Sequence, residues 1–288
     1  MLGIFSCDPG GAEILSSWLL NYKGKYKVCL KGPAINIFKK KIKGLKNYSS
    51  KNVFKSSNKI ITSTGWSSKH EINAIIQAKK YKKYVITILD HWVNYRERFI
   101  KNKILHLPNE IWVFNKKSLQ IAKNLFKKKV IIVKKNDPYF RKTIKQIKFL
   151  KKKIKNKNNI LYLTTPNVDK KFSDLYFFKV FIENLYFFKK NNIKIIFRVH
   201  PLDNVKKYLE YINQIKKKYI IEISKNSIEF DLARSNCVFG INSTAQIISV
   251  LAKIRTINIY PKSCQKKYDI SLIFNKIENF FRIIKKNS

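Results

Sequence analysis

The feature that most constrains this chain is the alternation of short, β-branched apolar runs with longer amphipathic segments, kept up along its whole length. Runs of this kind, each followed by a helix-length segment, build a parallel sheet covered by helices. The spacing predicts strands at residues 2–6, 59–63, 85–89, 110–114 and 130–134, with helices at 12–20, after the turn Asp8-Pro9-Gly10-Gly11, at 68–80 and at 117–126. Ser67 and Ser68 are candidate caps of the second helix, and Glu71 falls in its first turn. The pattern stops near Asp137-Pro138, and residues 140–158, dominated by Lys, Ile and Asn, are the expected domain junction, with a helix as one form for it. Alternation then restarts. Strands are expected at 160–163, 193–199, 219–223, 237–239 and 256–259, and helices at 172–189, 205–217, 244–252 and 271–285, with Ser227 capping a short helix. The expected fold is therefore α/β, with two Rossmann-like domains, residues 1–140 and 141–288, facing a cleft.

Charge narrows the partners. The 288 residues carry 61 Lys+Arg against 17 Asp+Glu, a formal net charge of +44, which directs attention first to nucleic acid. Only seven of those cations are Arg, the side chain that reads phosphates and bases through a bidentate fork. Lysine enriched together with asparagine and isoleucine is what AT-rich codons leave at tolerant surface positions, so nucleic acid is not the expected partner. A lysine surface is drawn to anionic lipid headgroups all the same, and peripheral contact with an anionic membrane is expected. No stretch approaches eighteen apolar residues and no basic leader precedes Asp8, which points to the cytoplasm, at most peripheral to the inner membrane face. Cys7, Cys29, Cys237 and Cys264 show neither C-x-x-C spacing nor a histidine at ligand distance, so they read as reduced thiols without zinc.

In open α/β sheets the informative residues lie just past the strands. Arg198-Val199-His200-Pro201 ends an apolar run: His200 can donate to a phosphate oxygen and Arg198 can add charge, the alternative being a histidine bonded to backbone. Gly240-Ile241-Asn242-Ser243-Thr244-Ala245 joins a strand to an apolar helix and presents hydroxyls and backbone N–H groups to an anion, the alternative being plain N-capping by Ser243. Together in one half, the two motifs suggest a phosphate cradle.

R-x-H-P followed by a G-x-x-S/T turn in the second of two Rossmann-like halves resembles the donor half of B-fold glycosyltransferases. The likeness extends to bacterial sialyl- and polysialyltransferases, capsule Kdo-type transferases and CDP-glycerol glycerophosphotransferases. It covers residues 160–262 well and the first half only in architecture. It implies that His200, Ser243 and Thr244 bind the donor phosphate, with Arg198, Pro201, Gly240 and Asn242 around them, and that the ribose-clamping glutamate has a loose counterpart in Glu229.

Asp90-His91-Trp92-Val93-Asn94-Tyr95-Arg96-Glu97-Arg98 concentrates an acid, an imidazole, aromatics and two arginines after a strand. Trp92, Tyr95, Arg96 and Arg98 suit a sugar acceptor, and Asp90, or else His91, is placed to take a hydroxyl proton. The alternative is a buried Asp–Arg pair that fixes the loop. Asp8-Pro9-Gly10-Gly11 follows the first strand. It lacks the third glycine of a dinucleotide loop, its Gly10 and Gly11 allow a ligand to approach, and Asp8 is a rival base. Trp66 either lines the cleft or packs in the core. No D-x-D and no P-loop is present, which suits a metal-independent enzyme without cofactors.

The expected function is a glycosyltransferase moving a sugar from a nucleotide-sugar donor to a glycan or lipid-linked acceptor in surface polysaccharide synthesis, the donor being a CMP-activated nonulosonic acid or, failing that, a UDP-sugar. The competing readings are a UDP-N-acetylglucosamine 2-epimerase-like isomerase, which would need more acidic residues than the motifs supply, and a basic nucleic-acid-binding protein.

Overall fold

A computed structural model describes residues 1–65, 68–92, 94–155, 159–165, 173–188, 194–201, 203–259 and 276–287. The chain divides into two compact units, Met1–Arg141 and Lys142–Ser288.

The first unit runs β1 (Leu2–Ser6), α1 (Pro9–Leu19), β2 (Tyr26–Leu30), α2 (Ala34–Lys41), α3 (Ser50–Ser56), β3 (Lys59–Thr62), α4 (His70–Lys80) and β4 (Tyr84–Ile88). A two-stranded hairpin follows, β5 (Ile100–Lys101) and β6 (Ile104–Leu105), then β7 (Glu110–Val113), α5 (Lys116–Phe126) and β8 (Ile131–Lys134). Six strands form one parallel sheet in the order β2-β1-β3-β4-β7-β8. The order reverses between β1 and β3, the switch point at which open α/β sheets take ligands. Alternation within β1 sends Leu2 and Ile4 to the cluster under α1 and α2, and Phe5 to the cluster with Phe54 and Ile75 under α3 and α4. A strand covered on both faces has no polar side to show, which is why these runs read as continuously apolar.

The junction segment takes the helical form, α6 (Pro138–Lys153), which begins at Pro138, two residues before the expected stretch. Asp137 Oδ1 accepts from the Phe140 N–H at 2.9 Å and Pro138 takes the first helical position, where its missing N–H costs nothing.

The second unit contains β9 (Asn159–Leu163), α7 (Asp174–Glu183), β10 (Lys194–Arg198), α8 (Lys206–Ile215), β11 (Ile220–Ile223), α9 (Ile228–Ala233), β12 (Ser235–Gly240), α10 (Thr244–Leu251) and β13 (Arg255–Asn258), then β14 (Ile277–Asn279) and α11 (Phe280–Asn287). Its parallel sheet has the order β11-β10-β9-β12-β13-β14, with the switch point between β9 and β12. An aromatic core covers it: Tyr162 stacks on Phe197 with centroids 5.7 Å apart, and Phe178 packs on both.

The helix expected over 271–285 is corrected. Residues 277–279 are a strand paired with β13, because Ile277 enters the core while Glu278 reaches Arg255; of the rest of that range, residues 271–275 lie outside the described residues. The ends of the helix expected at 172–189 also lie outside them.

Candidate functional site

At the β9–β12 switch point of the second unit, two consecutive threonines tie both sequence motifs to one strand end. The His200 N–H donates to Thr164 Oγ1 at 2.8 Å, and Thr165 Oγ1 donates to the Ile241 carbonyl at 2.9 Å. The His-Pro loop and the strand-to-helix turn are thereby anchored side by side at the end of β9. The Asp203 N–H donates to the His200 carbonyl at 2.8 Å, which fixes the chain just after His200. Burial pushes the His200 imidazole down to about 4, so near neutral pH it is an uncharged ring with one donor and one acceptor nitrogen.

Nearby, the Tyr208 hydroxyl donates to Asp203 Oδ2 (2.6 Å) and lies 3.3 Å from Asp174 Oδ2, while Lys207 Nζ pairs with both acids. Lys207 and these hydrogen bonds hold Asp203 below the usual carboxylate range even against burial. Burial instead raises Asp174 to about 6, and its Oδ1 is buried without a hydrogen-bond partner among the described residues.

On the other side, Ser243 caps α10: its Oγ accepts from the Ala245 N–H at 3.2 Å, and its own N–H donates to Gln246 Oε1 at 2.9 Å. Capping and ligand contact at Ser243 are thus not alternatives of place, since the cap is made at the strand end where the ligand is expected. Thr244 is half-buried at the first helical position.

Gly240, Asn242 and Arg198, expected around the donor, have structural partners of their own. Gly240 is a packing glycine, because a Cβ there would lie 3.1 Å from Leu163 Cβ and 3.3 Å from Gln246 Cδ. Asn242, with a left-handed φ of 47°, exchanges bonds with Asn258: its N–H donates to Asn258 Oδ1 (2.9 Å) and its Oδ1 accepts from Asn258 Nδ2 (3.0 Å). Arg198 commits Nη1 to the fully buried Asp231 at 2.7 Å and to the Asn226 carbonyl, which ties β10 to α9. Pro201 is exposed, and Glu229 is half-buried in the first turn of α9.

In the first unit, Glu71 stands at the β1–β3 switch point. Its Oε1 accepts from the Cys7 N–H (2.7 Å), the Asp8 N–H (3.4 Å) and Ser63 Oγ (3.1 Å), and Ser63 in turn bonds Ser6 (2.7 Å). Glu71 is 2% exposed and its Oε2 has no partner among the described residues. Burial, with the Asp8 carboxylate adding to it, pushes the carboxyl up to about 7. Sequence reasoning placed Glu71 only in a helix turn. The available signal was its spacing with Ala74, Ile75 and Ala78, an acid on the buried stripe of α4.

Asp90 forms the buried pair that was weighed against a catalytic role. Arg98 Nη1 lies 2.9 Å from Asp90 Oδ1 and 2.9 Å from Thr64 Oγ1, and Thr64 donates to the same Asp90 oxygen at 3.0 Å. Arg98 therefore holds Asp90, which corrects its expected contact with an acceptor. Trp92 is 4% exposed and stacks on Phe140 (6.2 Å, 22°). Tyr95 is a core residue, 2% exposed. Gly11 packs helix on strand rather than facing a ligand, since a Cβ there would fall 2.4 Å from Ser63 Cβ. His91 is half-buried beside Trp92, Asp8 and Gly10 are half-buried at the start of α1, and Arg96 is exposed. Trp66 lies outside the described residues.

A small pocket of about 10 Å³, room for little more than one water, lies between Leu89, Asp90, Trp92, Asn115, Ser118 and Asp137. Asp137, which the sequence reading passed over, is raised by burial to about 6, and its Oδ2 is buried without a partner among the described residues. Among the described residues no cluster of three or more His, Cys, Asp or Glu could hold a metal ion, and no helix is long and apolar enough to cross a membrane.

No protein-family model and no curated protein matches the chain. Solved structures do. A UDP-GlcNAc 2-epimerase from Neisseria meningitidis bound to UDP-GlcNAc superposes with a TM-score of 0.69 at 11% identity, over 99% of this chain and 90% of that one. The Methanocaldococcus jannaschii UDP-GlcNAc 2-epimerase in complex with UDP-GlcNAc and UDP gives 0.66 at 14% identity, over 99% and 92%. The wall teichoic acid polymerase TagF gives 0.52 at 10% identity, over 90% and 69%. At these identities the likeness is one of fold. The chain has the two-Rossmann architecture of the B-type glycosyltransferase fold, which epimerases and transferases share.

Proposed function

We propose that this protein is an enzyme acting on a nucleotide-activated sugar, that its second unit holds the nucleotide phosphate, and that its reaction is of the UDP-N-acetylglucosamine 2-epimerase type. The observation that carries the reading is the anchoring of His200 and of the Ser243–Thr244 helix start to the adjacent Thr164 and Thr165 at the switch point. A neutral imidazole donor, a hydroxyl and a helix N-terminus together suit a phosphate oxygen. Likeness over nearly the whole of both chains favours the epimerase type over transfer, and makes a UDP-sugar a better first ligand than a CMP-sugar. The first unit also brings acids to its strand ends: Asp8, Asp90 and Asp137 follow β1, β4 and β8, and Glu71 reaches the end of β3 from α4. In this reading Asp8, Asp90 and His91 are the candidates for proton transfer, and Glu229 the candidate for the ribose.

Transfer to a glycan or lipid-linked acceptor is the second reading, supported by the resemblance of the two motifs and by the TagF fold. Proton NMR of the protein incubated with UDP-GlcNAc and no acceptor separates the two. New sugar signals with the nucleotide still attached support epimerisation. An unchanged sugar, with free UDP appearing only once an acceptor glycan is added, overturns it in favour of transfer.

A further inference from the structure

In the first unit the switch point between β1 and β3 has the geometry of an anion site: a strand end, a turn with Gly10 and Gly11, and α1, an eleven-residue helix whose N-terminus follows. The backbone N–H groups of Cys7 and Asp8, which would meet a ligand phosphate at such a turn, are already taken. Both donate to Glu71 Oε1, the nearer at 2.7 Å, and Ser63 completes the set. The carboxyl reaches this place from α4, 64 residues along the chain from Cys7, and room is made for it. A Cβ on Gly65 would lie 2.8 Å from Glu71 Oε2, so only glycine covers that oxygen without displacing it. Oε2 itself is buried and unpartnered among the described residues, an arrangement that packing alone does not reward. An acid on the buried stripe of a helix is costly unless something local uses it.

We propose that Glu71 is a built-in carboxyl that occupies the Cys7 and Asp8 N–H groups of the first unit's strand-end turn and closes them to phosphate, which makes Glu71 the residue that decides where in this protein a phosphate group binds. A phosphate brought to this turn would have to displace a covalently tethered competitor and lie beside the Asp8 carboxylate as well. The inference concerns the first unit alone. It does not depend on the nucleotide-sugar reading of the second.

The test is a titration of the full-length, ²H,¹⁵N-labelled protein with inorganic phosphate, followed through the amide resonances of Cys7 and Asp8. In the parent these two resonances are expected to stay put. In Glu71→Ala, whose cradle is empty, they are expected to titrate, with a dissociation constant at least about tenfold below any measured there in the parent. Movement of the Cys7 and Asp8 amides in the parent overturns the proposal, and that arm needs no variant to fold. So does a folded Glu71→Ala protein whose two amides ignore phosphate. Ser243 and Thr244 report on the second unit in the same spectra, so failure of the phosphate site there is read separately.

Discussion

Glu71 sits where an amphipathic helix would ordinarily carry an apolar side chain, and its consequences for stability follow from its carboxyl being raised from 4.5 to about 7. A group raised on folding contributes stability that is fully present below its unfolded value and is lost as pH climbs to the folded one. Between about pH 4.5 and 7 the parent should therefore lose on the order of 3 kcal/mol through this residue. In Glu71→Gln that part of the loss should vanish, a difference read from urea denaturation at pH 5 and pH 8; equal slopes for parent and variant would contradict it. Asp90 makes the opposite case, an acid whose partner is fixed. Asp90→Ala strands Arg98, whose side chain is 8% exposed, without its counter-charge and should cost about 3–5 kcal/mol, whereas Asp90→Ala combined with Arg98→Met should recover much of that. Activity that survives in the double variant would remove Asp90 from the candidates for proton transfer. His200, lowered to about 4, should show no imidazole titration by NMR between pH 5.5 and 8.

At the scale of elements, the contact between α1 and the end of β3 is set by an absent side chain. Gly11→Ala would bring a Cβ within 2.4 Å of Ser63 Cβ, so the helix must shift. Overpacking of this kind costs about 1–3 kcal/mol, which equilibrium denaturation would reveal; a neutral Gly11→Ala would mean that α1 does not pack as described. Strands buried on both faces were legible in the sequence because an unbroken apolar run has few other uses. Elements whose signal lies in single residues were less so. Asp137-Pro138 reads equally as a break or as a cap with proline at the first helical position, and only the bond to Phe140 distinguishes them. The segment 277–285 carries helix-like periodicity, yet its first three residues pair with β13, because tertiary contact outweighs local preference. The candidate site divides along the same line. His200, Ser243 and Thr244 stood out as motifs, while Thr164 and Thr165, which hold those motifs together, are ordinary threonines at a strand end and carry no local signal. Trp92 and Tyr95 misled for the reverse reason, since aromatic residues near charges suit a sugar and a core equally well until burial is known.

Across the whole molecule, each of the two Rossmann units has a switch point, at β1–β3 and at β9–β12, where open α/β sheets take ligands. The charge of +44 does not follow that division. Exposed lysines such as Lys23, Lys55, Lys80, Lys103, Lys127 and Lys217 lie on many different elements of both units. Binding to RNA should accordingly be weak, indifferent to sequence and largely gone by about 200 mM salt in a filter-binding assay. Sequence preference that persists at that salt would restore nucleic acid as a partner. The central claim, a nucleotide phosphate held by His200 and the start of α10, is tested most directly by a thermal-shift titration with UDP, CMP, CDP, GDP and ADP, repeated with His200→Ala. Ligand at 100 times its dissociation constant stabilises by about 2.7 kcal/mol, enough to measure. The account predicts a shift with a pyrimidine nucleotide, UDP foremost, that is lost in folded His200→Ala. No shift with any nucleotide, or a shift that His200→Ala leaves intact, would contradict it.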